Sequence, residues 1–337
     1  MKKIKIFEYD CILFFLTQGL NLGIISTLIK KVNTNIIFIP IIGMIIGFIP
    51  LIIYMKNLDL NINQLNTKFF GKTIGNIINF LIIILVTMYA LSSFSNLINF
   101  IKLEYLYDTP KLFISIIFTI PIIYILSKDI TVISRTIVIL FFIEIFLFIL
   151  SFIGVTSQIN INELLPLFQT KTTSIIESSL IYVSYIVIPI FLLKIFKKED
   201  IQNNKNIKKH IIISYILSNI IAFIIIFSTV SVLGTELISI YKYPEFQILK
   251  KVTLGGFIQR IESILSIHFI INLFVFTSFC FYYIKTTLPK FKLYSGFIII
   301  ICIISTYTFK NNYINLSFII PLLILVTSKK VVKLLYK

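Results

Sequence analysis

The sequence predicts an all-α polytopic membrane protein with ten transmembrane helices. Three observations lead there. Of the 337 residues, 58% are hydrophobic and only 13% are charged, about half the charged share of a soluble domain. Ten apolar segments each approach or exceed the roughly 20 residues that cross a hydrocarbon core. Threading them with the N-terminus in the cytoplasm puts about two thirds of the 31 Lys and Arg on the cytoplasmic side. In a soluble chain the net charge of +17 would suggest a nucleic-acid partner. Cytoplasmic-loop lysines account for it here, so no nucleic acid is expected.

The expected spans are 9–30, 34–55, 74–98, 111–127, 131–153, 173–195, 209–233, 260–285, 291–309 and 313–331. The run Met1-Lys2-Lys3-Ile4-Lys5 is basic, but no small-residue cleavage site follows the first apolar segment, which is therefore expected to be retained as a span. An even number of spans places both basic ends in the cytoplasm. Short polar loops separate most spans, so one membrane domain, 1–337, is expected. Cys11, Cys280 and Cys302 sit in apolar runs without metal or redox spacing.

Dividing the spans five and five puts the boundary in Gly154–Thr172. Because five is odd, the halves 9–153 and 173–331 would cross the membrane in opposite senses, as inverted repeats do in secondary transporters. In such folds an interrupted helix at matching positions of the two halves marks the binding site. The first span carries Thr17-Gln18-Gly19-Leu20-Asn21-Leu22-Gly23 near its middle. The sixth carries Ser178, Ser179, Tyr182, Ser184 and Tyr185, then Pro189. Each glycine weakens a helix by about 1 kcal/mol relative to alanine, and proline removes a backbone donor. One reading is close helix packing through Gly19 and Gly23. The other is unwinding, which frees N–H groups for a carboxylate and carbonyls for an ammonium or cation. A zwitterionic amino acid would satisfy both.

Tyr89, Ser92 or Ser93, Asn96 and Asn99 share one face of the third span, either lining a pocket or bonding between helices. Glu144, inside the fifth span, is a proton-relay candidate or a structural hydrogen-bonding group. His268 reads as a packing residue. With His210 the only other histidine, no histidine metal cluster can be assembled. The sequence contains no P-loop, HExxH or G-x-S-x-G pattern. Neither enzyme chemistry nor a cofactor or metal is expected.

A further series is more specific: Glu163-Leu164-Leu165-Pro166-Leu167, Leu233-Gly234, Tyr243-Pro244 and Gly256-Phe257-Ile258-Gln259-Arg260-Ile261-Glu262-Ser263. With these the chain resembles the B subunits of spore germinant receptors, spore permeases of the amino acid–polyamine–organocation superfamily. The resemblance implies a ten-span, 5 + 5 inverted repeat of the leucine-transporter type, with helices 1 and 6 interrupted. It also implies the spore inner membrane, a nutrient germinant as ligand, and germinant-receptor A and C subunits as partners. Arg260 and Glu262 stand at the outer membrane edge, two apart and so on different faces, where they either anchor the segment 234–259 to another helix or form a solvated helix end.

Two functions share the expected pocket of Thr17, Gln18, Gly19, Asn21, Gly23, Tyr89, Ser93, Ser179, Tyr182 and Ser184. One is a receptor subunit that binds an amino-acid germinant. The other is a proton-coupled amino-acid permease acting alone, for which Glu144 would be indispensable. A purely structural subunit, a third possibility, would tolerate Gly19→Trp.

Overall fold

The computed structural model describes residues 3–56, 58–252 and 262–288. The expected ninth and tenth spans, Arg260 and Cys302 lie outside the described residues. The protein is an all-α membrane protein. Among the described residues, six helical runs are long and apolar enough to cross a membrane: Ile24–Met55, Ile62–Glu104, Ile130–Thr156, Thr172–Ile195, Ile207–Ile240 and Glu262–Thr287.

The first span is two helices, α1 (Ile6–Gln18) and α2 (Ile24–Val32). Gly19 closes α1 by donating its N–H to the Phe15 carbonyl at 2.9 Å. Gly23 opens α2 with φ +81°, a conformation that a residue without Cβ adopts freely. A 3₁₀ turn, Asn33–Phe38, joins α2 to α3 (Ile39–Met55). Asn33 there has φ +45° and interrupts the run that composition alone would count as one 32-residue helix.

Next comes α4 (Ile62–Glu104), which bends sharply at Gly71, φ +77°. Its first nine residues fold back so closely that a Cβ on Gly75 would strike the Asn66 backbone. The Asn66 side chain then donates to Asn79 Oδ1 at 2.7 Å. The sequence reading has a loop at 62–70; amphipathic residues ahead of a glycine make a short helix instead.

The chain continues through α5 (Lys111–Leu126), α6 (Ile130–Thr156) and α7 (Thr172–Ile186). The sixth span does not unwind at Pro189; it tightens into a 3₁₀ helix, Ile188–Ile195. Proline cannot donate to the i−4 carbonyl and its ring crowds that group, so i−3 bonding takes over. Then follow α8 (Ile207–Ile240), bent at Gly234 with φ +70°, α9 (Pro244–Gln247), a 3₁₀ turn Ile248–Lys251, α10 (Glu262–Leu265) and α11 (Ile267–Thr287).

α1 and α11 are buried along most of their length, the behaviour of helices that are apolar all round. α11 packs on α4, α1 on α8, and α3 on α7. α5 and α6 turn Ile117, Ile120, Phe142 and Phe146 outward, a face suited to lipid. At the N-terminal end, two-residue strands β1 (Ile4–Lys5) and β2 (Ile201–Gln202) pair in parallel. No pattern in so short a stretch announces them.

Candidate functional site

A helix interrupted inside a bilayer must satisfy its freed backbone groups with protein partners. At Gly19–Gly23 those partners come from α4 and α9, and side-chain bonds tie the break to α8. Gln18 Nε2 donates to the Ser218 carbonyl on α8 at 2.7 Å, and the Asn21 amide donates to Gln18 Oε1. Asn96 Nδ2 on α4 donates to the Leu22 carbonyl at 2.7 Å. The first N–H groups of α2 point at a carboxylate from α9: Gly23 N and Ile25 N donate to Glu245 Oε1 at 3.1 and 3.4 Å.

Glu245 is 1% exposed. Its Oε2 has no hydrogen-bond partner among the described residues. Burial pushes its carboxyl up to about 7, while the α2 N–H groups pull the other way. Tyr243 covers Gly23 and donates to Asn96 Oδ1 at 2.9 Å. Asn96 therefore serves both the opened first span and the segment lying over it. Behind Glu245, a cavity of about 20 Å³, water-sized, lies among Phe148, Ser151, Ile225, His268 and Phe269.

Two contact chains run from the break to the sixth span. In one, Gln18 reaches Ser218; its neighbour Asn219 accepts from Tyr182 OH at 2.9 Å. In the other, Gly19 lies so close to Phe276 that a Cβ would collide with that ring. Phe276 meets Tyr89 edge-on with 6.1 Å between centroids, and Tyr89 OH donates to the Ser184 carbonyl at 2.6 Å. One turn along α4, Ser93 donates to the Leu273 carbonyl at 3.1 Å.

The chain matches, over residues 11–319, a family described as spore germination protein, the spore permeases. The chain belongs to the spore permease family. No curated protein matches it.

In this spore permease, Thr17, Gln18, Asn21, Tyr89, Ser93, Ser179, Tyr182 and Ser184 are all buried. Gly19 is buried and Gly23 half-buried. Gln18, Asn21 and Tyr182 bond through side chains; Gly23 offers its backbone N–H, and Gly19 gives room to Phe276. The hydroxyls of Thr17, Ser179 and Ser184 turn back on their own helices, to the carbonyls of Phe14, Ile175 and Ile181 at 2.7, 2.8 and 2.7 Å. Hydroxyls in apolar helices bond locally in this way, so they line the region without spanning it.

Glu144 is buried on α6 and accepts from Asn272 Nδ2 at 3.3 Å, with Oε2 unpartnered among the described residues. Glu262 opens α10, and its Oε2 also lacks a partner among the described residues. Two stretches that carried the family resemblance meet in space. Glu163 lies against Gly234, where a Cβ would strike its carboxylate. The sequence reading missed Ser218, Asn219, Phe276 and Glu245. The one available signal for Glu245 was Tyr243-Pro244-Glu245, a proline at a helix start followed by one of only 14 acidic residues.

Proposed function

We propose that this spore permease is the germinant-binding membrane subunit of a spore germination receptor, and that its ligand is an amino acid. The observation that carries the proposal is the break at Gly19–Gly23, where α2 presents its first N–H groups to a carboxylate. A ligand carboxylate would bind those groups, and its ammonium would approach Gln18, Asn21 and the carbonyls at the end of α1. Tyr182, Tyr89 and Ser93 close the sides, with Ser179 and Ser184 behind them.

The proposal includes ten spans in two inverted halves of five, of the leucine-transporter type. Helical segments between spans two and three (62–70) and between spans seven and eight (235–251) favour it, because these connections correspond in such a repeat. Both termini lie in the cytoplasm, the membrane is the spore inner membrane, and A and C subunits complete the receptor. The second reading, a proton-coupled permease acting alone, is favoured by one feature, the buried Glu144 facing Asn272.

Purified protein in proteoliposomes, given labelled amino acids with and without an inward proton gradient, separates the two. Saturable binding without accumulation, retained in Glu144→Gln, supports the receptor subunit. Gradient-driven accumulation that Glu144→Gln abolishes makes the protein a permease. Absence of binding by any of the twenty amino acids overturns both.

A further inference from the structure

Residues 243–252 form a strap over the opened first span. Tyr243, Glu245, Phe246, Leu249 and Val252 are each at most 2% exposed. At its edges the strap is held by polar contacts close to solvent. Gln247 Nε2 and Lys250 Nζ donate to the Glu104 carboxylate, each at 3.2 Å, and Lys251 Nζ donates to the Val232 carbonyl at 3.1 Å. The Glu104–Lys250 pair is partly exposed, and such pairs contribute little.

The centre is different. Glu245 is fully buried, and its partners are the backbone N–H groups that begin α2. A helix N-terminus attracts an anion through those groups and through its dipole. The anion seated there belongs to the protein itself. The end of a glutamate side chain, a methylene bearing a carboxylate, offers the same oxygens as the carboxylate of a free amino acid. Each N–H has one hydrogen to donate, so the carboxyl oxygen of Glu245 and that of a ligand compete for the same two donors.

We infer that Glu245 is a tethered occupant of the ligand's carboxylate site: a carboxylate-bearing ligand binds by displacing it, and the displacement releases the strap. The inference rests on the reading that the ligand's carboxylate is received at α2. It adds that binding and the seated strap are mutually exclusive, so occupancy is reported at the strap face of the protein. It also limits the ligand to molecules with a free carboxylate; an ester or amide of the same amino acid would leave the strap seated. Seating lowers the apparent affinity by the fraction of molecules whose site is open.

The test places one cysteine in the strap, Ile248→Cys, in a full-length chain with the three native cysteines changed to serine. Its labelling by a membrane-impermeant maleimide is followed in proteoliposomes. The probes are an equimolar pool of the twenty amino acids and the same pool as methyl esters. Labelling of the reference protein should be slow and should accelerate with the free pool, not the esters. Glu245→Ala should raise labelling about tenfold without any probe and lower the half-saturating pool concentration by a similar factor. Glu245→Gln, which keeps a carbonyl acceptor and the side-chain volume, should fall between the two. It also controls for misfolding, together with size-exclusion behaviour.

Unchanged labelling in Glu245→Ala overturns the inference. So does binding of the pool with equal affinity in the reference protein and Glu245→Ala, or with the strap still protected; the proposed function survives either result. Strap release in Glu245→Ala with no amino acid retained by either protein overturns the proposed function. It also overturns the ligand-displacement part of the inference.

Discussion

The two ends of the helix bundle are closed by different means. At the N-terminal end the closure is redundant. β1 pairs with β2 through Ile4–Ile201 and Lys5–Gln202, and Lys198 N donates to the Leu58 carbonyl at 2.9 Å. Ser134 Oγ donates to Glu8 at 2.9 Å, and His210 and Ser214 bracket Asp10 at 2.9 and 3.2 Å. The Tyr9 and Tyr54 hydroxyls are bonded to each other, and Lys194 Nζ lies 4.9 Å from the Tyr54 ring centre. At the opposite end the buried polar hold on the strap converges on Glu245 and on Asn96, both bonded to the opened first span. An end held by many independent contacts is not opened by the loss of one. An end whose buried polar contacts converge on two side chains is opened more readily, by the loss of either. On the displacement inferred above, opening would start at the strap.

The largest expected effect that tests this contrast comes from Asn96→Leu. The substitution removes the donor to the Leu22 carbonyl and the acceptor for Tyr243 OH while roughly keeping volume. A buried carbonyl left without a partner costs ~2 kcal/mol. Strap labelling should rise roughly thirtyfold, and labelling at the N-terminal end should not change. Equal opening at both ends would show that the break in the first span couples them rigidly, and the contrast would fail.

Asn96 also shows how much of the site was legible in the sequence. It belongs to a stripe of polar residues at helical spacing, so its face could be read directly. The break itself stands where Gly19 and Gly23 are, because those positions have local reasons to leave the helix, a close packing contact and a positive φ. The sixth span carried the weaker signal. Pro189 ends α-helical bonding, yet whether the chain then unwinds or tightens depends on what packs around it, and here it tightens. Glu245 lies 222 residues from Gly23, and a pairing at that separation has no periodicity to betray it. Ser218 and Asn219 are two polar residues in an apolar run. The approach of α8 to α1 brings the Ser218 carbonyl to Gln18, and Tyr182 on α7 reaches Asn219.

A smaller effect follows from the Glu245 carboxyl. Seated, it titrates near 7 instead of 4.5, chiefly because it is buried. The seated state therefore binds a proton more readily than the released one. Seating is favoured below about 4.5, loses ground through the interval up to about 7, and is weakest above it. The groups facing this carboxyl are His268 across the cavity and Tyr243 beside it, with Glu104 beyond. Strap labelling, corrected for the intrinsic pH dependence of the maleimide, should increase on the order of tenfold from pH 6 to pH 8. Glu245→Gln should flatten that profile. A profile that persists in Glu245→Gln would remove Glu245 as the group that sets the release.

The smallest effect is expected at the other end, from Asp10→Asn. The Asp10 and His210 side chains are 18% and 40% exposed, and a polar contact so placed contributes at most about 1 kcal/mol. Asparagine keeps an acceptor for Ser214, while the strand pairing, the Glu8–Ser134 bond and the Tyr9–Tyr54 contact all remain. A cysteine at Ile201, 3% exposed within β2, should label less than about threefold faster in Asp10→Asn than in the reference protein. Should Asp10→Asn expose Ile201→Cys more than Glu245→Ala exposes Ile248→Cys, the N-terminal end would be the labile one. The ligand would then act by opening the face that carries both strands, and the strap would be the fixed wall against which it does so.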